Sequence, residues 1–95
     1  MDFTEAVFRE RLGDSFEVVD LASAGVALRL DEVRALGLHS FALLFRGPLP
    51  GWLPQRTYRL RQTVMGEFDL FLVPLGPDSQ GFRYEAIFNN RAAGG

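Results

Sequence analysis

The hydrophobic positions near the start of the chain follow the spacing of a helix. Over residues 3–12 the apolar residues recur about once per helical turn, although they spread over a wide arc. Asp2 or Thr4 can cap the first turn. Gly13 stands where a glycine commonly follows the end of a helix. The pattern therefore predicts one short N-terminal α-helix over 3–12.

After this helix the spacing changes to the period of two that is typical of β-strands. Two alternating runs joined by a short loop carrying Gly25 predict a hairpin, whose second strand can continue to Leu36. A cluster of turn-forming residues at 76–81 separates the last two runs and predicts a loop. The six predicted strands are 16–20, 26–36, 40–46, 55–62, 67–74 and 82–89.

Six short strands joined by turns predict a mainly β fold. They would form an antiparallel meander that closes into a small barrel or folds into a sandwich, with one short N-terminal α-helix. The connections are too short for parallel crossovers, which need about a dozen residues or more. Residues 1–90 are expected to make a single small β domain, and residues 91–95 a flexible C-terminal tail.

Two of the predicted strands are apolar on both faces, in the runs 41–45 and 68–73. Burying one large apolar side chain contributes about 1.5–3 kcal/mol, so the second face of each strand needs a cover. The N-terminal helix is the internal candidate, and another subunit or a protein partner is the external one. The residues that would carry such a contact are Ala42, Leu44, Phe71 and Val73.

The segment PLPGWLP, residues 48–54, interrupts the strand pattern with three prolines and the only tryptophan. The prolines lack P-x-x-P spacing and are expected to end strand pairing. Gly51 permits a turn that brings Trp52 and Leu53 back over the fold. The segment is therefore expected to plug one end of the barrel, and the alternative is a binding loop that presents Trp52 as a hot spot.

Composition and charge narrow the classes of partner that the chain is expected to bind. The chain of 95 residues has a net charge of −2, and its ten basic residues are all arginines scattered among twelve acids. The nearest approach to a basic stripe is Arg56, Arg59 and Arg61. A sheet that binds nucleic acid interleaves exposed aromatic residues with such arginines, but Tyr58 points to the other face. No nucleic-acid partner is expected.

No apolar run approaches the roughly 18 residues of a membrane-spanning helix. The first residues lack the basic region and apolar core of a signal peptide. We therefore expect no membrane association and a cytoplasmic location. With no cysteine, the chain has no disulfide and no thiolate metal site.

Candidate catalytic groups are few. His39 is the only histidine, and Ser40 beside it would point to the opposite face of a strand. Glu67 and Asp69 share a face and could form half of a carboxylate dyad or a cation site. The simpler interpretation places Glu67 beside a turn and pairs Asp69 with an arginine across the sheet. The loop 76–81 matches neither phosphate-loop nor calcium-loop spacing. No catalytic residue, metal or cofactor is therefore expected.

Several stretches together resemble a family of small bacterial domains recorded only as a domain of unknown function, over roughly residues 3–89. They are LGDSFEV (12–18), FALLFRGP (41–48), LPQRTYRL (53–60), GEFDLFLVPLGPD (66–78) and YEAIFN (84–89). The resemblance implies no catalytic residues. Members are often encoded near proteins with phage-tail-collar-like domains, which implies a structural or assembly role.

The chain departs from this family at two places. Arg56 stands where the family tends to have glycine, and residues 62–63 replace a frequent His-Pro before the turn at Met65. A ligand shared by the family at that turn is therefore not expected here.

The leading functional hypothesis is a non-enzymatic interaction or assembly module that binds a protein partner or itself. The alternative is a small-ligand-binding β barrel with Trp52 at its mouth. A hydrolase that uses Glu67 with Asp69, or His39, is the third hypothesis.

Overall fold

Six strands and one helix form the fold over residues 3–20 and 25–89, the parts of the chain that the computed structural model describes. The elements are α1 Glu5–Arg9, β1 Ser15–Val18, β2 Ala27–Ala35, β3 Ser40–Gly47, β4 Arg56–Gln62, β5 Gly66–Asp78 and β6 Gly81–Asn89. The alternative cap Asp2 and the tail predicted at 91–95 lie outside the described residues.

The six strands pair antiparallel in one closed barrel, in the order β1-β2-β3-β6-β5-β4. The predicted fold class is confirmed. The order, however, is not that of one continuous meander: β1–β3 and β4–β6 are two three-stranded meanders, joined where β3 pairs with β6 and β1 pairs with β4. The prolines between β3 and β4 end strand pairing, so β4 does not fold back beside β3 as a hairpin.

As a result, β3 and β4 lie on opposite sides of the ring. Residues 48–55 join them and must cross one open end of the barrel. We call these residues the plug segment and this opening the plug end. The strand ends at the other opening, which we call the helix end, lie beside α1.

Helix α1 is shorter than the predicted 3–12. Its N-cap is Thr4, whose Oγ1 accepts a hydrogen bond from the Val7 N–H at 3.2 Å. The helix stops early because the following backbone is held by β2: the Gly13 N–H donates to the Leu30 carbonyl, and the Leu30 N–H donates to the Asp14 carbonyl. These bonds direct the chain into β1 instead of a third helical turn.

The buried residue of α1 closes the helix end of the barrel. Phe8 is fully buried, and its ring lies 5.2–6.4 Å from the rings of four phenylalanines on the strands. They are Phe16, Phe41, Phe68 and Phe88. The helix thus fills an opening and contacts β2; it is not the cover that the sequence suggested for the outer faces of β3 and β5.

Strand β5 is longer than the predicted 67–74 and runs to Asp78. Its pairing with β4 stops at Leu72, so Pro74 and Pro77 fall where β5 pairs only with β6, next to a bulge at Leu75. Proline is tolerated at strand edges and bulges, which is why these residues did not end the strand. The predicted loop 76–81 therefore shrinks to the two residues between Asp78 and β6.

Candidate interaction surface

Outward side chains in the middle of β3, β6 and β5 form a largely apolar surface, which we call the β6 face. They belong to strands that are neighbours in the barrel. Three pairings fix their placement: Leu44 lies beside Glu85, Glu85 lies beside Val73, and Ala42 lies beside Ile87. The β6 face consists of Ala42, Leu44, Phe71, Val73, Arg83, Glu85 and Ile87.

Two large apolar side chains of this face are exposed to solvent. Ile87 is 53% exposed and Phe71 is 49% exposed, whereas Leu44 and Val73 are half-buried. Ala42 is buried, because it is small and lies between the partner strands' Arg34 and Ile87. The second face of the two apolar strands is thus left partly open by the described part of the chain.

The two charged residues of the β6 face form no ion pair with any described residue, although Arg83 lies close enough to Asp78 to help lower the pKa of that carboxyl. Neither Arg83 nor Glu85 forms an ion pair or a hydrogen bond through its side chain. They are two residues apart on one strand and point outward together. On β2 the same spacing does give ion pairs, at 2.6 Å between Arg29 and Asp31 and at 3.1 Å between Arg34 and Glu32.

A groove of about 530 Å³ lies beside this pair of charges. Its lining includes Leu44, Leu75, Arg83 and Glu85, charged residues of β2, and the side chains of Arg46 and Gln80. The groove is open to solvent and combines an apolar floor with charges of both signs. Such a surface fits a protein side chain better than it fits a buried small molecule.

The ionic cluster next to the groove has a structural role. Arg46 on β3 forms ion pairs with Asp31 and with Asp78, and it donates to Gln80 at 3.2 Å. The Gln80 N–H donates to the Asp78 carboxylate and holds its pKa below the ordinary value, and Arg46 adds to this effect. Asp31 is the bulged residue of β2, and the bulge lets its carboxylate reach Arg46.

The surface of β4 and its two neighbours, β1 and β5, carries ion pairs that neutralise the predicted basic stripe. Arg59 lies across the sheet from Asp69 and pairs with it at 3.0 Å. Arg61 pairs with Glu17 at 2.7 Å and lies across from Glu67. The cross-strand pairing predicted for Asp69 is confirmed, and Glu67, which lies beside the turn as predicted, also faces an arginine.

The remaining part of the basic stripe is neutralised as well. Arg56 pairs with Asp20 at 3.6 Å and lies over the ring of Tyr58, 4.2 Å from its centroid. Tyr58 is buried and points inward as predicted. No aromatic side chain of β4 is therefore exposed for stacking against a base.

His39 and Ser40 do not form a catalytic pair. His39 is exposed in the turn between β2 and β3, and the Ser40 hydroxyl donates to the Asn89 side chain at 3.3 Å. Across residues 3–20 and 25–89, no group of three or more His, Asp or Glu side chains is placed to hold a metal ion.

Of the two predicted interaction residues in the plug segment, Leu53 lies in the core and Trp52 lies on the surface. Leu53 is buried, and its N–H donates to the Tyr84 hydroxyl at 2.8 Å. The Tyr58 hydroxyl donates to the neighbouring Pro54 carbonyl. Trp52 stacks flat on Phe82 at a centroid distance of 5.0 Å, yet half of its surface stays exposed. Leu53 thus offers no contact to a partner, whereas Trp52 does.

The turn at which the chain departs from the family pattern is held by Gln62. Its side-chain oxygen accepts hydrogen bonds from the N–H groups of Val64 and Met65, both at 2.8 Å. Its side-chain nitrogen donates to Asp14 at 3.1 Å. Gln62 is buried and uses its amide within the fold, so it is a structural residue of this turn.

Sequence reasoning missed Arg83, Glu85 and Ile87 as members of the candidate surface. The alternation of β6 predicted a half-wet strand, and the residues on its outer side were therefore treated as ordinary exposed positions. The available signal was Ile87 itself, an isoleucine on the polar face. Its significance depends on the neighbouring strands, and the non-consecutive strand order hid them.

Comparisons with known proteins give one match. Residues 3–88 match the family model described as Domain of unknown function (DUF6916). No curated protein and no solved structure matches the chain. Within the described residues, no helix is long and apolar enough to cross a membrane.

Proposed function

We propose that this chain, which belongs to the family Domain of unknown function (DUF6916), is a non-enzymatic interaction or assembly module. It binds a protein partner or another copy of itself through the β6 face, in the cytoplasm and without nucleic acid or membrane. The setting is a structural assembly of the phage-tail type, as the resemblance described above implies.

The observation that carries this proposal is the exposure of Ile87 and Phe71 on neighbouring strands, next to half-buried Leu44 and Val73. Single exposed apolar residues are common on protein surfaces, but apolar side chains grouped on adjacent strands mark interaction sites. The charged residues within the group form no ion pair with the described residues, and a bound protein could supply one.

The alternative, a ligand-binding barrel, has less support. The interior is filled by large side chains, and its two openings are occupied by Phe8 and Leu53. Small barrels whose interior is packed with side chains leave no room for a ligand. The exposed half of Trp52 favours this alternative only as a rim site. A change in tryptophan fluorescence on addition of a metabolite panel would support it.

The proposal is tested by affinity capture from the native cell extract with three forms of the chain. Wild-type protein is compared with Ile87→Glu on the β6 face and with Val64→Glu, a matched change at a 58% exposed apolar residue in a turn at the helix end. We expect wild type and Val64→Glu to retain the same proteins, or added untagged chain, and Ile87→Glu to lose them. Equal capture by all three forms would contradict the proposal.

A further inference from the structure

The outward charges of the barrel are almost all paired, and the exceptions lie together on β6. Glu17, Arg29, Arg59 and Arg61 each have an ion-pair partner on their own or a neighbouring strand. Arg83 and Glu85 do not, among the described residues. They are one positive and one negative group, one residue before and one residue after Tyr84, on the surface proposed above for binding.

A surface that carries opposite charges on either side of one point is complementary to the same surface on a second copy. When two copies of β6 stack face to face and run antiparallel about Tyr84, Arg83 of each copy lies over Glu85 of the other. A two-fold interface repeats every contact in this reciprocal way. A parallel arrangement would instead place each arginine over its own equivalent, which like-charge repulsion disfavours.

The neighbouring strand β5 offers apolar contacts in the same arrangement. Leu75 is 41% exposed and lines the same groove as Arg83 and Glu85. It lies on the plug-end side of Tyr84, whereas Val73 and Phe71 lie on the helix-end side. The antiparallel stacking therefore brings Val73 and Phe71 of one copy toward Leu75 of the second copy.

We propose, building on the proposed function, that the occupant of the β6 face is a second copy of this chain, held by two reciprocal Arg83–Glu85 ion pairs across a two-fold axis at Tyr84. A specific interface buries about 800 Å² per partner. That is roughly one seventh of the 5538 Å² surface of the described structure. One side of the barrel can supply this area.

The test uses charge reversal and sedimentation equilibrium over a range of concentrations. Arg83→Glu gives two copies that both present two acidic groups, and Glu85→Arg gives two basic ones. We expect each single variant to dimerise about tenfold or more less tightly than wild type. An equimolar mixture of the two variants should restore dimerisation, because each heterodimer regains both opposite-charge contacts.

The control is the same reversal on the opposite side of the barrel. The double variant Glu17→Arg with Arg61→Glu, on β1 and β4, keeps a cross-strand pair and should dimerise as wild type does. In the mixture each protein still carries its own substitution. Recovery of dimerisation would therefore show that both variants are folded and that the charges caused the loss. A wild-type protein that stays monomeric at every concentration, single variants that dimerise normally, or a mixture no tighter than its components would each overturn the inference.

The two proposals fail in distinguishable ways. If wild type stays monomeric while capture from the extract still depends on Ile87, the β6 face binds another protein, and only the inference of a second copy is overturned. If capture is also independent of Ile87, the proposed function itself is contradicted.

Discussion

At the scale of single residues, two tyrosines allow a polar backbone to cross an apolar barrel end. The plug segment brings the Leu53 N–H and the Pro54 carbonyl to this opening, and each finds a tyrosine hydroxyl. Tyr84 accepts from the first and Tyr58 donates to the second. A buried backbone group without a partner would oppose closure of the opening.

The first prediction concerns Tyr84→Phe. This change removes the acceptor of the buried Leu53 N–H and should lower the free energy of unfolding by about 1–3 kcal/mol. Tyr58→Phe should cost less, because Pro54 is exposed and water can reach its carbonyl. Urea unfolding of the two variants compares them directly. A larger loss for Tyr58→Phe would contradict the role assigned to Tyr84.

The second prediction concerns alkaline pH. Burial raises the pKa of Tyr58 and of Tyr84 above the ordinary value, so the folded state holds these protons more tightly than the unfolded state. Their stabilisation is complete below the unfolded-state pKa of about 10. It is lost as the pH rises through the folded-state values.

We therefore expect the free energy of unfolding in urea to fall as the pH passes above about 10. The decline should be shallower in the double variant Tyr58→Phe with Tyr84→Phe, which serves as the control. A wild-type stability that stays level or rises over this range would contradict the prediction.

At the scale of elements, the strand alternation was predictable and the element ends were not. The inward positions of β4 and β6 follow directly from the period of two. The end of α1 depends on backbone bonds from Gly13 and Asp14 to β2. The extension of β5 to Asp78 depends on its pairing with β6, which continues past the point where β4 begins. Both ends are set by pairing with other strands, which local spacing does not encode.

The third prediction concerns the closure of the helix end of the barrel by Phe8. Phe8→Ala removes a fully buried ring from the helix end and should lower the free energy of unfolding by about 3–5 kcal/mol. Leu12→Ala, at a 44% exposed residue of the following turn, is the matched control and should cost much less. Similar losses for the two variants, measured by urea unfolding, would show that Phe8 does not close the barrel.

At the scale of the whole molecule, the strand order determines which outward residues become neighbours on the surface. The sequence indicated that the second face of the strands at 41–45 and 68–73 needs a cover. It did not indicate that β6 lies between these two strands. Once the barrel closes with β3, β6 and β5 side by side, their outer residues merge into one surface. The candidate residues Leu44, Phe71 and Val73 were therefore predictable one by one, whereas their union with Arg83, Glu85 and Ile87 was not.

The central claim is that the β6 face is a surface for binding and not part of the core. The most direct measurement compares Ile87→Glu with wild type in both urea unfolding and affinity capture. We expect the free energy of unfolding to change by no more than about 0.5 kcal/mol, as for an exposed position, while capture is lost. A large loss of stability, or a normal stability with unchanged capture, would contradict the claim.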